Sequence, residues 1–375
     1  MKFTVSSKKL YQKLQAAAQV INKKNTLPIL DCFLFGLRGN ILNIASTDGE
    51  VRLVTKVEVE DVQGDIKIAV NAKTLVDSLK ELPEQPITFE VNENNFEVLI
   101  HYHNGKFNFI GQIADDYPTP KQLDEKVKQE LIIGADVLMN GINGTLFAAA
   151  NDELRPVMCA CYFDITKDNV TFVASDGHKL IKLVSTETKG QDKSSFILPT
   201  KASNVIRKLA EKQSDPVKIR FDFNQAVFDF IDYVVSVRFI EGRYPNYQSV
   251  IPQGNTNRFS IDKGTLTAII KRVSVFSNQA SNMVKFDLSS NALTVSAQDI
   301  DFSTSAEESF ELDYIGTPMQ IGFKAEFLLE LLSNMQASEI EIQLSDPSRA
   351  ALIVPVKNEF GWDNLSLLMP LMLND

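Results

Sequence analysis

Cysteines, long apolar runs and nucleotide-binding loops are scarce or missing in this 375-residue chain. The three cysteines, Cys32, Cys159 and Cys161, are an odd number without CxxC spacing, which argues against a disulfide framework or a zinc ribbon. Cys159 and Cys161 stand two apart, so both are expected on one face of a strand, packed in a core. No apolar run approaches the roughly 18 residues that a membrane helix needs. The opening Met1-Lys2-Phe3-Thr4-Val5 alternates like a strand and lacks the apolar stretch of a signal peptide, so a cytoplasmic protein is expected. There is no GxxxxGK[ST] loop for ATP, no GxSxG elbow, and no helix-turn-helix or finger motif to read bases. A net charge of -10 argues against a protein that coats nucleic acid, but not against one that encloses it.

What the chain does have is an internal repeat. Phe3, Leu131 and Phe259 recur at intervals of 128, each in a short alternating strand. Leu10, Leu138 and Leu266 follow at the same interval, as do Leu14, Ile142 and Ile270, giving each following helix one apolar stripe. Asp48, Asp176 and Asp299 each close a strand at intervals of 128 and then 123, and Lys73, Lys201 and Lys324 repeat those intervals before a second helix. Each copy then returns to alternating strands, and the first two close on Tyr117-Pro118 and Tyr244-Pro245. The spacing predicts an α+β fold of three tandem domains, residues 1–124, 125–253 and 254–375, each with two helices on antiparallel sheets. A unit of that size buries its own core, so the triplication serves geometry, and head-to-tail units of fixed rotation close into rings.

Charge separates along the repeat. Predicted helical segments 8–24, 201–212 and 263–272 carry net charges of +5, +3 and +3; segments 73–81, 135–155 and 324–338 carry 0, -2 and -1. The remainder is strongly acidic. Lysines facing phosphates across a wide channel would give weak, salt-sensitive attraction that reads no sequence, whereas lysines on the solvent face of an amphipathic helix need no partner.

The whole chain resembles the β subunit of bacterial DNA polymerase III. The resemblance rests on Met1-Lys2-Phe3-Thr4-Val5, Thr26-Leu27-Pro28-Ile29-Leu30, Ser175-Asp176-Gly177-His178-Lys179-Leu180, Gly242-Arg243-Tyr244-Pro245-Asn246-Tyr247 and Met369-Pro370-Leu371, in that order. It implies a homodimeric ring around duplex DNA, helices lining the hole, opened by a clamp loader and tethering replicative and repair polymerases. No cofactor and no metal are implied. It also implies a pocket for short apolar partner peptides, formed by Met158, Gly177, His178, Lys179, Leu180, Pro245, Val250, Leu367, Leu368, Met369, Pro370 and Leu371. Ser249 and Met372 stand where some family members have arginine, and Asn374-Asp375 extend the chain. By the same resemblance, Phe107 and Phe109 of the first domain would meet Val275 and Phe276 of another copy's third domain. Lys23, Lys24 and Arg155 lead the expected DNA contacts, followed by Lys73, Lys201, Arg207 and Lys208.

Two other readings compete with this one. Ser175, Asp176 and His178 offer a hydroxyl, a carboxylate and an imidazole, as a hydrolase would need; yet groups adjacent on a strand or turn point apart, and the aspartate recurs at Asp48 and Asp299 without Ser or His beside it. A ring acting as a non-replicative scaffold is the other alternative. His101 and His103, with Asp115, lack a closed set of metal ligands.

Overall fold

A computed structural model describes residues 1–373; Asn374 and Asp375 lie outside the described residues. Six α-helices occur among them: α1 (Ser7–Ala17), α2 (Ala72–Lys80), α3 (Ala135–Leu146), α4 (Thr200–Ala210), α5 (Lys263–Val273) and α6 (Ala325–Asn334). The repeated apolar positions explain why each copy starts alike. Phe3, Leu131 and Phe259 are buried on their strands, and Leu10, Leu138, Leu266, Leu14, Ile142 and Ile270 have no exposed surface at all. Starts of α1, α2 and α5 are fixed by side chains that satisfy orphan amides: Ser6 accepts from the Lys9 N–H, Asn71 from Thr74 and Asp262 from Thr265.

Three predicted helices end early. Segment 8–24 is helical only to Ala17, with a 3-10 turn at Ala18–Val20, so Lys23 and Lys24 stand on the following loop. There the chain turns extended at Ile21, after the β-branched pair Val20-Ile21, which favours leaving the helix. Likewise α3 stops at Leu146, leaving Arg155 on a loop, and α6 stops at Asn334 rather than 338. Cys159 precedes the strand Ala160–Ile165 instead of sharing it with Cys161, because the 3-10 turn Pro156–Met158 ends there.

Contacts group the chain into two units, not three: Met1–Met139 with Lys201–Phe239, and Asn140–Thr200 with the chain from Ile240 on. Strand pairing explains why. In the first unit, the strand Val51–Glu58 pairs antiparallel with Tyr233–Arg238, fusing two four-stranded groups and one added strand into a nine-stranded sheet. In the second, Lys179–Ser185 pairs with Trp362–Leu368 and fuses an eight-stranded sheet. The second pairing repeats the first with Thr55 opposite Tyr233 becoming Leu183 opposite Asn364, 128 residues further on the first strand. Two smaller sheets are left, a five-stranded one ending on Gly105–Ile110 and a four-stranded one ending on Thr304–Glu311.

Candidate partner and nucleic-acid interface

The turn Ser175–Lys179 is built by its own polar side chains. Asp176 Oδ1 accepts from the amides of His178 and Lys179 at 2.8 and 2.9 Å, while Ser175 Oγ donates to the Lys179 carbonyl at 2.8 Å. The same device stands at Asp48, which accepts from Glu50 and Val51, and at Asp299, which accepts from Asp301 and Phe302. These aspartates therefore form turns. A hydrolase site is not assembled: Ser175 bonds backbone, Asp176 bonds Lys179, and the His178 ring lies against Phe327, their centroids 5.9 Å apart.

Lys179 is buried, its ammonium 2.7 Å from Asp176, 3.1 Å from Glu330 of α6 and 4.4 Å above the Phe327 ring. Burial alone would raise the Asp176 pKa, but hydrogen bonds from the Lys179 ammonium and from two amides outweigh it and hold the carboxyl below its ordinary value. Burial would lower that of Lys179, and the carboxylates of Asp176 and Glu330 raise it instead. Phe327 and Glu330 went unseen in the sequence, because nothing in a helix pattern marks which strand turn it meets.

Beside this turn the chain's last strand continues the sheet. Leu180 stands opposite Leu367, and beyond the strand the Met369 N–H donates to the His178 carbonyl and the Leu371 N–H to that of Gly322, both at 2.8 Å. Leu180 and Leu367 belong to one apolar cluster with Val173, Tyr244 and Tyr247, flanked by Val157, Tyr162 and Ile251. Tyr162 and Tyr244 stack at 4.5 Å, and the Tyr247 hydroxyl donates to Asp164 at 2.7 Å. Above this floor Met369 and Val250 are exposed, as are Pro245, Gly177 and His178, while Met158, Pro370 and Leu371 are half-buried. Met158 is tied in by Arg155, whose guanidinium also reaches the Asp176 carbonyl at 3.1 Å. Leu368 is a correction to the expected lining. Strand alternation puts it opposite Lys179, on the other face from Leu367, with no exposed surface.

The expected DNA contacts fall into two groups. Lys23, Lys24 and Lys208 are exposed. Lys73 pairs with Asp77 at 2.8 Å and Arg155 with Asp152 at 2.8 Å, whereas Lys201 is held by Asp48, the Val20 carbonyl and Asn22. Arg207 is half-buried beside Asn204. Among the expected subunit contacts, Phe107 and Phe109 are half-buried on the terminal strand Gly105–Ile110, while Val275 and Phe276 are exposed on the turn after α5. The cysteines suit a packing role: burial pushes the Cys161 thiol up to about 12 and that of Cys32 up to about 11. No cluster of three or more candidate metal ligands, and no helix long and apolar enough to cross a membrane, occurs among the described residues. His101 instead faces Glu90 at 3.4 Å.

Comparison with known proteins gives a consistent result. Models of the N-terminal, central and C-terminal domains of the DNA polymerase III beta subunit match residues 1–121, 132–246 and 248–370. Relatives named beta sliding clamp include one from Pseudomonas aeruginosa, 26% identical over 374 residues, and one from Vibrio cholerae, 24% identical over 375; each alignment covers all of both chains. A solved sliding clamp from Pseudomonas aeruginosa bound to griselimycin superposes with a TM-score of 0.92 at 27% identity, again covering both chains fully. A beta subunit from Thermotoga maritima shares the fold, with a TM-score of 0.91 at 22% identity.

Proposed function

Because this chain belongs to the DNA polymerase III beta subunit family, we propose that two copies close into a ring on duplex DNA and act as a polymerase processivity factor. The family is a non-catalytic sliding clamp. The observation that carries ring closure is a pairing rule. In two consecutive copies of the repeat, the strand that follows the aspartate turn pairs with the last strand of the next copy: Val51–Glu58 with Tyr233–Arg238, then Lys179–Ser185 with Trp362–Leu368. Applied once more, the rule leaves two strands with one edge unpaired among the described residues, Thr304–Glu311 of the third copy and Gly105–Ile110 of the first. Both are terminal strands, and a free edge exposes a row of backbone donors and acceptors that a partner edge satisfies. Joining the third copy of one chain to the first of another, twice, gives a closed head-to-tail dimer of six domains. Phe107 and Phe109 would then reach Val275 and Phe276 across the boundary. We take the three domains as 1–124, 125–253 and 254–375.

Partner tethering is the second part of the proposal. The exposed Met369, Val250 and Pro245, over a floor that includes Leu180 and Leu367, suit an apolar anchor side chain, and the exposed His178 imidazole suits a polar atom of a peptide. The replicative polymerase, the clamp loader and repair polymerases would compete there, with Ser249 and Met372 tuning preference. Exposed Lys23, Lys24 and Lys208 would meet phosphates without reading sequence.

Retention on DNA tests ring closure. With its loader, the protein should remain on a nicked circle at high salt and be lost once the circle is cut to a linear form. Equal retention on both forms would refute topological linkage and favour a scaffold that merely adheres.

A further inference from the structure

Each copy of the repeat closes the sheet edge beside its second helix in the same way. The strand entering that helix is Ile66–Asn71 in the first copy, Ser194–Pro199 in the second and Met319–Lys324 in the third. Ala69, Ile197 and Gly322 are its equivalent residues, standing opposite Leu34, Tyr162 and Lys285, which are spaced by 128 and then 123. On its other side, each is met by the segment leaving its own copy's last strand. Gln112 pairs with Ala69, the Ile240 N–H donates to the Ile197 carbonyl at 3.2 Å, and the Leu371 N–H donates to the Gly322 carbonyl at 2.8 Å.

The side chain at this position sets the third copy apart. Ala69 and Ile197 are buried, and Ile197 belongs to the apolar cluster of Tyr244 and Tyr247. At Gly322 the space is filled from outside. A methyl group built on this glycine would stand 3.0 Å from the Leu371 carbonyl oxygen, from Leu373 Cδ2 and from Met283 Sδ, tighter than the roughly 3.5–4.0 Å of ordinary apolar contact. Gly322 does not take a positive φ, so its own backbone does not call for glycine; the segment lying across it does. That segment is held again two residues earlier, where the Met369 N–H donates to the His178 carbonyl at 2.8 Å. Pro370, with its fixed φ, separates the two bonds, so they set the places of Met369 and Leu371 together.

We propose that Leu373, seated in the space that Gly322 leaves open, is a latch that holds Met369–Leu371 against the third-copy sheet and so preorganises one wall of the partner-peptide pocket. Gly322 is a positioning residue: it touches no peptide and acts through the segment it seats. A wall already in place binds at less entropic cost than one the peptide must order. This inference rests on the peptide pocket proposed above.

Gly322→Val in the full-length protein tests the latch. The equivalent strand of the second copy carries the β-branched Ile197, so the strand itself accepts such a side chain. Valine should unseat Leu373, so that the Leu371 amide exchanges with deuterium about tenfold faster or more while the thermal melt changes little. Affinity for a short apolar peptide, read by calorimetry, should fall by about tenfold as the wall loses its preorganisation. Leu373→Ala leaves the strand untouched and should move both readouts the same way, by about threefold. A general loss of stability would instead lower the melt without singling out the Leu371 amide. A Leu371 amide that stays protected in both variants, or one that is freed while peptide affinity is unchanged, would overturn the latch. Met369→Glu separates the latch from the pocket. If it abolishes binding while Gly322→Val and Leu373→Ala do not weaken it, the latch is lost and the pocket stands; if it too leaves binding intact, the pocket itself fails.

Discussion

The ammonium of Lys179 lies 3.1 Å from the carboxylate of Glu330, joining the Asp176 turn to the second helix of the next repeat copy. The lysine is almost wholly buried and its other partner, Asp176, largely so, whereas Glu330 is 36% exposed. The two contacts should therefore be unequal. Lys179→Met leaves Asp176 buried without its cation and should cost roughly 3 kcal/mol, while Glu330→Gln, screened by solvent, should cost about 1 kcal/mol or less. Urea denaturation of the three proteins measures the difference, and equal losses would show that burial does not govern this network.

The same network sets a pH dependence. Asp176 titrates below its ordinary value in the folded chain, so its contribution is present above the ordinary carboxylate range and disappears as pH falls through the lowered value. Lys179 titrates above 10.5, so its contribution is complete below that pH and disappears as pH rises through the raised value. Between these limits the turn's contribution should be flat. Asp176→Asn keeps an oxygen able to form the turn, so it isolates the charge. Its stability deficit should be constant near neutrality and shrink in acid; a deficit that grows in acid would contradict the assignment.

Lysines that look alike in sequence should behave differently. Lys23 and Lys24 are exposed on a loop, whereas Lys201 is held by Asp48 and two oxygens near α1. If the loop lysines meet phosphates, Lys23→Ala with Lys24→Ala should flatten the slope of log affinity against log salt by about 2, roughly 0.9 for each contact. Lys201→Ala should lower thermal stability and change that slope less. Fluorescence anisotropy with short duplexes at several salt concentrations, beside melting curves, separates the two effects.

Adjacent leucines give a comparable contrast at the peptide pocket. Leu368→Ala should cost about 2–4 kcal/mol in stability and leave peptide affinity of the folded protein little changed, since that side chain faces the core. Met369→Glu, at an exposed position, should do the reverse: an unchanged melt and a loss of apolar peptide binding of tenfold or more. Titration calorimetry with a short apolar peptide reads both; a Leu368 variant that folds normally but fails to bind would put that residue back in the pocket.

Periodicity exposed much of this architecture and little of the site's detail. The triple recurrence of Phe3, Leu10 and Leu14 was visible because strands alternate and helices turn every 3.6 residues, and all nine positions are buried. The recurring aspartates also declared their role, since a residue that forms a turn needs no chemical neighbour. Other features were invisible for physical reasons. Where α1 stops depends on a weak local balance around Val20-Ile21, so Lys23 and Lys24 were placed on a helix they do not join. The meeting of Lys179 with Phe327 and Glu330 is set by packing between distant segments. So is the fusion of sheets across copies, which draws the compact units across the repeat instead of along it.

The pairing rule that joins successive copies also fixes a residue register for ring closure. Val54 stands opposite Val234, on the outer side of the first fused sheet. Val54, opposite Ala45 in its hairpin, has Glu307 as its third-copy equivalent, because Ala45 maps to Ser296 through the intervals of 128 and 123 and Ser296 stands opposite Glu307; Val234 has Lys106 as its first-copy equivalent through 128, consistent with the hairpins Glu97↔Ile110 and Gln225↔Arg238. Lys106 of one chain should thus face the acidic Glu307 of another, an arrangement that favours attraction. Facing residues on adjacent antiparallel strands lie about 4.5–5.5 Å apart, within the span of a disulfide. Lys106→Cys combined with Glu307→Cys should form a cross-linked dimer under mild oxidation, two bonds to a ring, while Lys106→Cys with Glu311→Cys, displaced by four residues, should not. Non-reducing electrophoresis distinguishes them. Cross-linking by the displaced pair alone would mean that the two free edges meet in another register; cross-linking by neither, in a protein shown to be dimeric by sedimentation, would mean that they do not meet at all.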